Sequence, residues 1–153
     1  MRDNPLHVQA LGADAGRRGR RVEKVQRGWM ASVLRRGFFL GAFKSGLPLG
    51  VLGVAKRKMS LTETARLLPQ LYLGLPAVVV WRLTRWFIQW ARRQPRAPYW
   101  HLGPVAVHPA AQGAGIGSAM MTTVCAQLDR EGALAYLETD KAVNVGFYRT
   151  FGF

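Results

Sequence analysis

The stretch QGAGIG, Gln112–Gly117, stands between an apolar strand pattern ending at Val107 and a small-residue helix pattern running to about Arg130. Gly113, Gly115 and Gly117 lack Cβ atoms, so this backbone can adopt dihedrals closed to other residues and a ligand can approach its N–H groups closely. The first amides of a helix have no acceptor within it, and with the helix dipole they form a site for an anion. The same glycines also suit a turn that does no more than let strand and helix pack tightly. Two nucleotide motifs fit poorly. A P-loop closes on Gly-Lys-Ser/Thr, whereas Gly117 is followed by Ser118 and Ala119. The dinucleotide fingerprint G-x-G-x-x-G is met by Gly113 and Gly115, with Glu138 as a later ribose-binding acid. Ser118 stands where its third glycine belongs, and His108–Gln112 separate strand from glycine where that fold turns tightly. Cys125, near Met121 and Leu128 in the helix pattern, reads as a packing residue. No His, Cys, Asp or Glu cluster has metal-ligand spacing, so no metal is expected.

The elements that must position this loop follow from hydrophobic period and turn chemistry. Trp100–Val107 predicts the strand before it, Leu134–Glu138 a strand after its helix, and Phe38–Phe43 and Leu47–Ala55 two strands joined by the turn residues Lys44, Ser45 and Gly46. Val22, Val25, Trp29 and Val33 recur at helical spacing up to about Gly37, and residues 62–73 and 78–93 also read as helices, with Pro76 between them. In the last of these, Val79, Leu83, Trp86 and Trp90 form an apolar stripe and Arg82, Arg85, Gln89 and Arg93 a polar one. Such a helix can lie on a membrane, but the pattern more commonly covers a core or a groove. The 153 residues, 49% of them hydrophobic, can build a real core. An excess of 22 Lys and Arg over 8 Asp and Glu gives a net charge of +14, which favours polyanionic partners without choosing among nucleic acid, anionic lipid and a phosphate-rich cofactor. Cys125 has no mate for a disulfide, the N-terminal residues show no secretory pattern, and the apolar run Leu71–Trp81 is shorter than the roughly 20 residues of a spanning helix. A cytoplasmic location is the expectation.

The loop together with the tail carries a more specific pattern. VAVHPAAQGAGIGSAMM followed by ALAYLETDKAVNVGFYRTFGF resembles the GNAT superfamily of acetyl-CoA-dependent N-acetyltransferases. Gln112, Gly115 and Gly117 match that family's Q/R-x-x-G-x-G/A signature, and Asn144, Phe147, Tyr148, Gly152 and Phe153 match its strand-then-N…FYxxxGF pattern. The resemblance is strongest over Tyr99–Phe153 and extends to the hairpin and the helices before Trp100. It implies a mixed α/β fold: a mostly antiparallel sheet flanked by helices.

The resemblance also implies a site. Amides from Gly113, Ala114, Gly115, Ile116, Gly117 and Ser118, with Gln112 opening the loop, would hold the pyrophosphate of acetyl-CoA. The Val105 and Val107 backbone would pair with the pantetheine arm, Asn144 would support it, and Tyr148 would face the sulfur. A phenol, with an ordinary pKa of about 10, can protonate a leaving thiolate, and a backbone amide can stabilise the negative oxygen that forms as an amine attacks. Glu138 is the first candidate to take the amine's proton, directly or through water; Asp140, His101 and His108 also lie near strand ends, with His108 reading as structural. The acceptor is expected to be a primary amine on a small molecule or peptide, with neither nucleic acid nor membrane as partner.

Residues 1–21 read as a basic, flexible segment whose GRRGRR run is solvated. Residues 22–153 read as one domain: a hairpin over 37–55, helices over 60–93 and an acetyl-CoA-binding core over 99–153. Set beside the family, the chain is expected to lack the first strand and helix and the last two strands. Two alternatives remain at this point: an inactive or fragmentary relative that keeps only CoA binding or the fold, and a basic nucleic-acid or membrane-surface protein.

Overall fold

The computed structural model describes residues 4–56 and 61–153. Residues 1–3 of the basic segment and Ser60, where the helical segment was expected to begin, lie outside the described residues. Two compact units are formed: one from the described parts of Met1–Ser32 and Met59–Gln94, the other from those of Val33–Lys58 and Pro95–Phe153.

The first unit is helical. Helix α1 spans Pro5–Leu11, α2 Ala15–Arg36 with its last turn in the other unit, α3 Leu61–Tyr72 and α4 Ala77–Ala91. Its core joins Ala10, Leu11, Val22, Val79 and Leu83, with Val25, Tyr72, Leu75, Trp86 and Phe87 packed around them. Of the apolar stripe expected on α4, Val79, Leu83 and Trp86 enter this core.

The N-terminal residues depart from the sequence expectation. Helix α2 begins at Ala15, so Arg21 and Val22 are consecutive residues within it rather than a boundary. Asp14 caps it: the Arg17 N–H donates to Asp14 Oδ1 at 2.7 Å, and this bond holds the carboxyl below its ordinary range. The GRRGRR run is helical, and not all of it is solvated. Arg18 is 4% exposed and donates to the Gly12 and Ala13 carbonyls, while Arg21 donates to Leu11 O at 2.6 Å. These carbonyls lie at the end of α1, where helical acceptors run out and cations are favoured. These side-chain bonds to the preceding helix thus outweigh the helix-breaking tendency of Gly16 and Gly19.

The second unit is a four-stranded mixed sheet covered by a helix. Strands β1, Gly37–Lys44, and β2, Leu47–Lys56, form the expected hairpin; Ser45 and Gly46 both take positive φ, as a two-residue turn of right-handed twist requires. Strand β3, Trp100–Val107, pairs antiparallel with β2, and β4, Ala135–Tyr136, pairs parallel with β3. Helix α5 spans Ile116–Arg130 and α6 spans Ala142–Arg149. Leu52, Val54 and Leu102 from the sheet meet Met120, Met121, Val124 and Leu128 of α5 in the core, with Phe147, Tyr148, Phe151, Phe153 and Cys125 packed against them.

Two glycines set how closely these parts approach. A Cβ on Gly50 of β2 would stand 2.9 Å from Met120 Cε and 3.0 Å from Ile116 Cγ2, so the first turn of α5 rests directly on the strand. One on Gly53 would stand 2.5 Å from Gly103 O and 2.8 Å from Phe39 Cε1. Gly53 lies where the β2–β3 register shifts between Leu52↔Val105 and Val54↔Leu102, a bulge that sets Gly103 and Pro104 against one residue of β2.

Candidate functional site

The site is built around the outer edge of β3. Strand β4 is shorter than the expected Leu134–Glu138: its pairing stops at His101↔Tyr136, and beyond that point β3 and β4 part. On the opposite edge β2 stays paired as far as Val107, and the His108 N–H donates to Leu49 O at 2.7 Å. Successive residues of a strand point their N–H groups to opposite sides. Since His108 faces β2, Ala106 does too, and Val105 and Val107 direct their N–H groups to the side that β4 has left. The two amides that the resemblance assigned to an extended ligand arm therefore lie on an open strand edge.

The chain leaves β3 through a short 3₁₀ turn, Pro109–Ala111, where His108 Nδ1 accepts from the Ala110 N–H at 3.3 Å. His108 is thereby a capping residue. Gln112 folds back so that its Nε2 donates to Val107 O at 3.1 Å, which braces the loop against the strand. Gly113 and Gly115 take φ of +81° and +75°, and a Cβ at either would meet nothing within 4 Å. Their left-handed backbone is what requires glycine, and the space over the loop is open. At Gly117 a Cβ would lie 3.5 Å from Phe147 Cζ and 3.7 Å from Val107 Cγ2, so this glycine lets β3, α5 and α6 meet.

Helix α5 begins at Ile116 with Gly115 as its N-cap and no capping side chain, and its first backbone bond runs from Ala119 N to Gly115 O. Among the described residues the amides of Gly113, Ala114, Gly115, Ile116, Gly117 and Ser118 have no acceptor. Free amides, an open approach and the positive end of a 15-residue helix together suit a pyrophosphate.

Proton-handling groups gather where β3 and β4 separate. His101 Nε2 and Glu138 Oε2 are 2.5 Å apart, with side chains 17% and 13% exposed. The sequence offered both as separate candidates, and the parallel register brings them together. Thr139, which the sequence reading missed, organises the next turn: its Oγ1 accepts from the Lys141 N–H and from Asn144 Nδ2, each at 3.3 Å. A threonine three residues ahead of a helix start was the available signal. Asn144 is thus tied to the turn after Glu138. Tyr148, on α6, is half-buried against Phe147, with ring centroids 5.2 Å apart, and its hydroxyl has no partner among the described residues. Burial, and then the charge of Asp140, push its pKa above the ordinary value of 10.0, so the phenol keeps its proton at neutral pH.

The sequence model of the acetyltransferase (GNAT) family matches residues 17–153. The chain belongs to this family. It is an acyltransferase of the GNAT type, and acetyl-CoA is the family's co-substrate. A GCN5-related N-acetyltransferase from Ralstonia eutropha is 18% identical and superimposes with a TM-score of 0.54, over 95% of this chain and 77% of that one. That likeness shows the mixed α/β fold. An aminoglycoside antibiotic 6'-N-acetyltransferase from Acinetobacter haemolyticus is 13% identical with a TM-score of 0.49, covering 84% of this chain and 71% of that one.

Proposed function

We propose that this GNAT protein transfers the acetyl group of acetyl-CoA to a primary amine by direct attack. The observation that carries the proposal is the run of acceptor-free amides from Gly113 to Ser118, continuous with the open β3 edge at Val105 and Val107. Acetyl-CoA supplies a thioester whose acyl carbon is open to an amine. The α5 amides hold the pyrophosphate and the β3 amides hold the pantetheine arm, with Gln112 and Asn144 supporting the loop and the turn that flank them. As the amine nitrogen bonds to the acyl carbon, a free amide on the β3 edge donates to the oxygen that gains charge. The carbon–sulfur bond then breaks, and Tyr148 gives its phenolic proton to the departing thiolate. Glu138 takes the proton that the attacking nitrogen loses, directly or through water. His101, hydrogen-bonded to Glu138, positions the carboxylate. A peptide bearing a free amine would serve as acceptor by the same chemistry as a small amine.

Calorimetric titration of the protein with acetyl-CoA, followed by thiol release on a panel of primary amines, tests this directly. Saturable binding and amine-dependent release of CoA are the expected results. Binding without release on any amine would leave a CoA-binding relative and remove the catalytic assignment.

A further inference from the structure

Helix α4 has a second face that the catalytic reading does not use. Val79 and Leu83 enter the core of the helical unit, while Val78, Trp81, Arg85, Ile88 and Arg92 share the opposite side at helical spacing. The sequence pattern singled out Arg82, Arg85, Gln89 and Arg93 as the polar stripe; the side that carries Trp81 and Ile88 is mixed. Val78, Trp81 and Ile88 are 52%, 57% and 46% exposed, and Leu73, in the turn between α3 and α4, is 73% exposed. The Arg85 guanidinium lies over the Trp81 ring at 4.8 Å.

Charge along α4 and the turn before it has one sign. From Leu71 to Gln94 the charged residues are Arg82, Arg85, Arg92 and Arg93, with no acid among them. Lys24 of α2 adds to the same end of the unit: its Nζ lies 3.7 Å from where a Cβ on Gly74 would stand, next to Leu73. Arg82 is partly committed, donating to Gln9 O, whereas Arg85, Arg92 and Arg93 are exposed. The helix is ~22 Å long at 1.5 Å per residue, and none of the described helices is long and apolar enough to cross a membrane.

We infer that the exposed face of α4, with the Leu73 turn, docks the protein flat on an anionic lipid surface. Tryptophan and aliphatic side chains enter the headgroup boundary, and arginines on the same face meet lipid phosphates and carboxylates. Cations without acids complement such a surface. A net charge of +14 opposes pairing of this face with a second copy of the chain. Nucleic acid would satisfy the arginines but leave the Leu73, Val78 and Ile88 ridge without an apolar partner.

The experiment is co-sedimentation of the full chain with phosphatidylcholine vesicles, either pure or containing roughly 30% phosphatidylserine as the anionic component. Binding is expected to the anionic vesicles only. Trp81→Ser and Ile88→Ser should each weaken it roughly tenfold, and Arg85→Gln or Arg92→Gln roughly fivefold. Lys44→Gln, on the exposed β1–β2 turn, removes the same charge and should change binding less than about twofold. A cooperative melt for each variant shows that it is folded. Absence of binding to the anionic vesicles overturns the proposal. So does equal weakening by Lys44→Gln and Arg85→Gln with Trp81→Ser unchanged, which would reduce the effect to net charge. A doubled mass in light scattering that Trp81→Ser relieves would assign the face to self-association instead.

Discussion

Replacing Gly115 by two different residues separates backbone strain from anion binding. Gly115 has φ +75° and nothing within 4 Å of a Cβ position, so Ala and Glu pay the same conformational cost and meet no clash. A left-handed non-glycine residue costs ~1 to 2 kcal/mol, which for a domain of this size lowers Tm by roughly 2 to 8 °C. Both variants should show this shift. The Glu variant adds a negative charge at the start of α5, where the proposed site holds pyrophosphate. At about 6 Å the repulsion is ~1 to 3 kcal/mol per phosphate charge, from effective dielectric constants between water and the protein surface. For two such charges the affinity for acetyl-CoA should fall on the order of 30-fold or more in Gly115→Glu, and little in Gly115→Ala. Calorimetric titration beside thermal melts measures both quantities. Equal affinity in the two folded variants would refute the placement of pyrophosphate at this loop.

Tyr148→Phe should lower kcat by a factor on the order of 10² to 10⁴ with acetyl-CoA affinity nearly unchanged, and wild-type turnover in a folded variant would reassign Tyr148 to packing. Gly53→Ala places a methyl group 2.5 Å from Gly103 O, so β2 and β3 must separate, and a loss of ~1 to 3 kcal/mol is expected in denaturant titrations; a neutral result would mean that the bulge is compliant. Burial and Asp140 raise the Tyr148 pKa above 10.0, and burial and Asp129 raise that of Cys125 above 9.0. In each case the neutral form is favoured by folding, so the stabilising contribution is full below the ordinary pKa and is lost as pH rises through the raised one. Stability should therefore decline more steeply with alkaline pH in wild type than in a Tyr148→Phe, Cys125→Ala double variant, as thermal melts from pH 8 to 11 would show. A coincident decline would remove both groups from the linkage.

What the sequence disclosed follows the range of the interactions involved. The β1–β2 hairpin, β3 and α5 rest on local signals: a turn at Ser45 and Gly46, a run of β-formers, and glycines at a helix start. Each was legible for that reason. Glu138 and His101 were legible as types, but their pairing depends on the parallel register of β3 and β4, which no neighbouring residue encodes. The early end of β4 was hidden likewise, because it reflects where its partner strand goes. Helix α1 and the first turns of α2 were missed because their support comes from Arg18 and Arg21 reaching back to the carbonyls that close α1, a contact that no helical period encodes. The resemblance named the loop residues, but only the structure shows Gln112 braced on Val107 and Thr139 holding Asn144.

The register that sets Lys56 opposite Trp100 has a consequence for how the chain assembles. Helices α3 and α4 lie between these two residues in the chain, so β2 and β3 are adjacent in the sheet but distant in sequence. The β1–β2 hairpin can zip from its two-residue turn, whereas β2 and β3 must close a long excursion before their first contact. Each doubling of a flexible loop adds only ~0.6 kcal/mol of closure entropy, so this route weighs on folding speed more than on final stability. Early formation of α3 and α4 shortens the excursion by coiling it, and would bring Trp100 back towards β2. Since the two ends meet as neighbours, the excursion is also a graft point: a short turn from Lys56 to Trp100 would keep the strand order while removing α3 and α4 as a block.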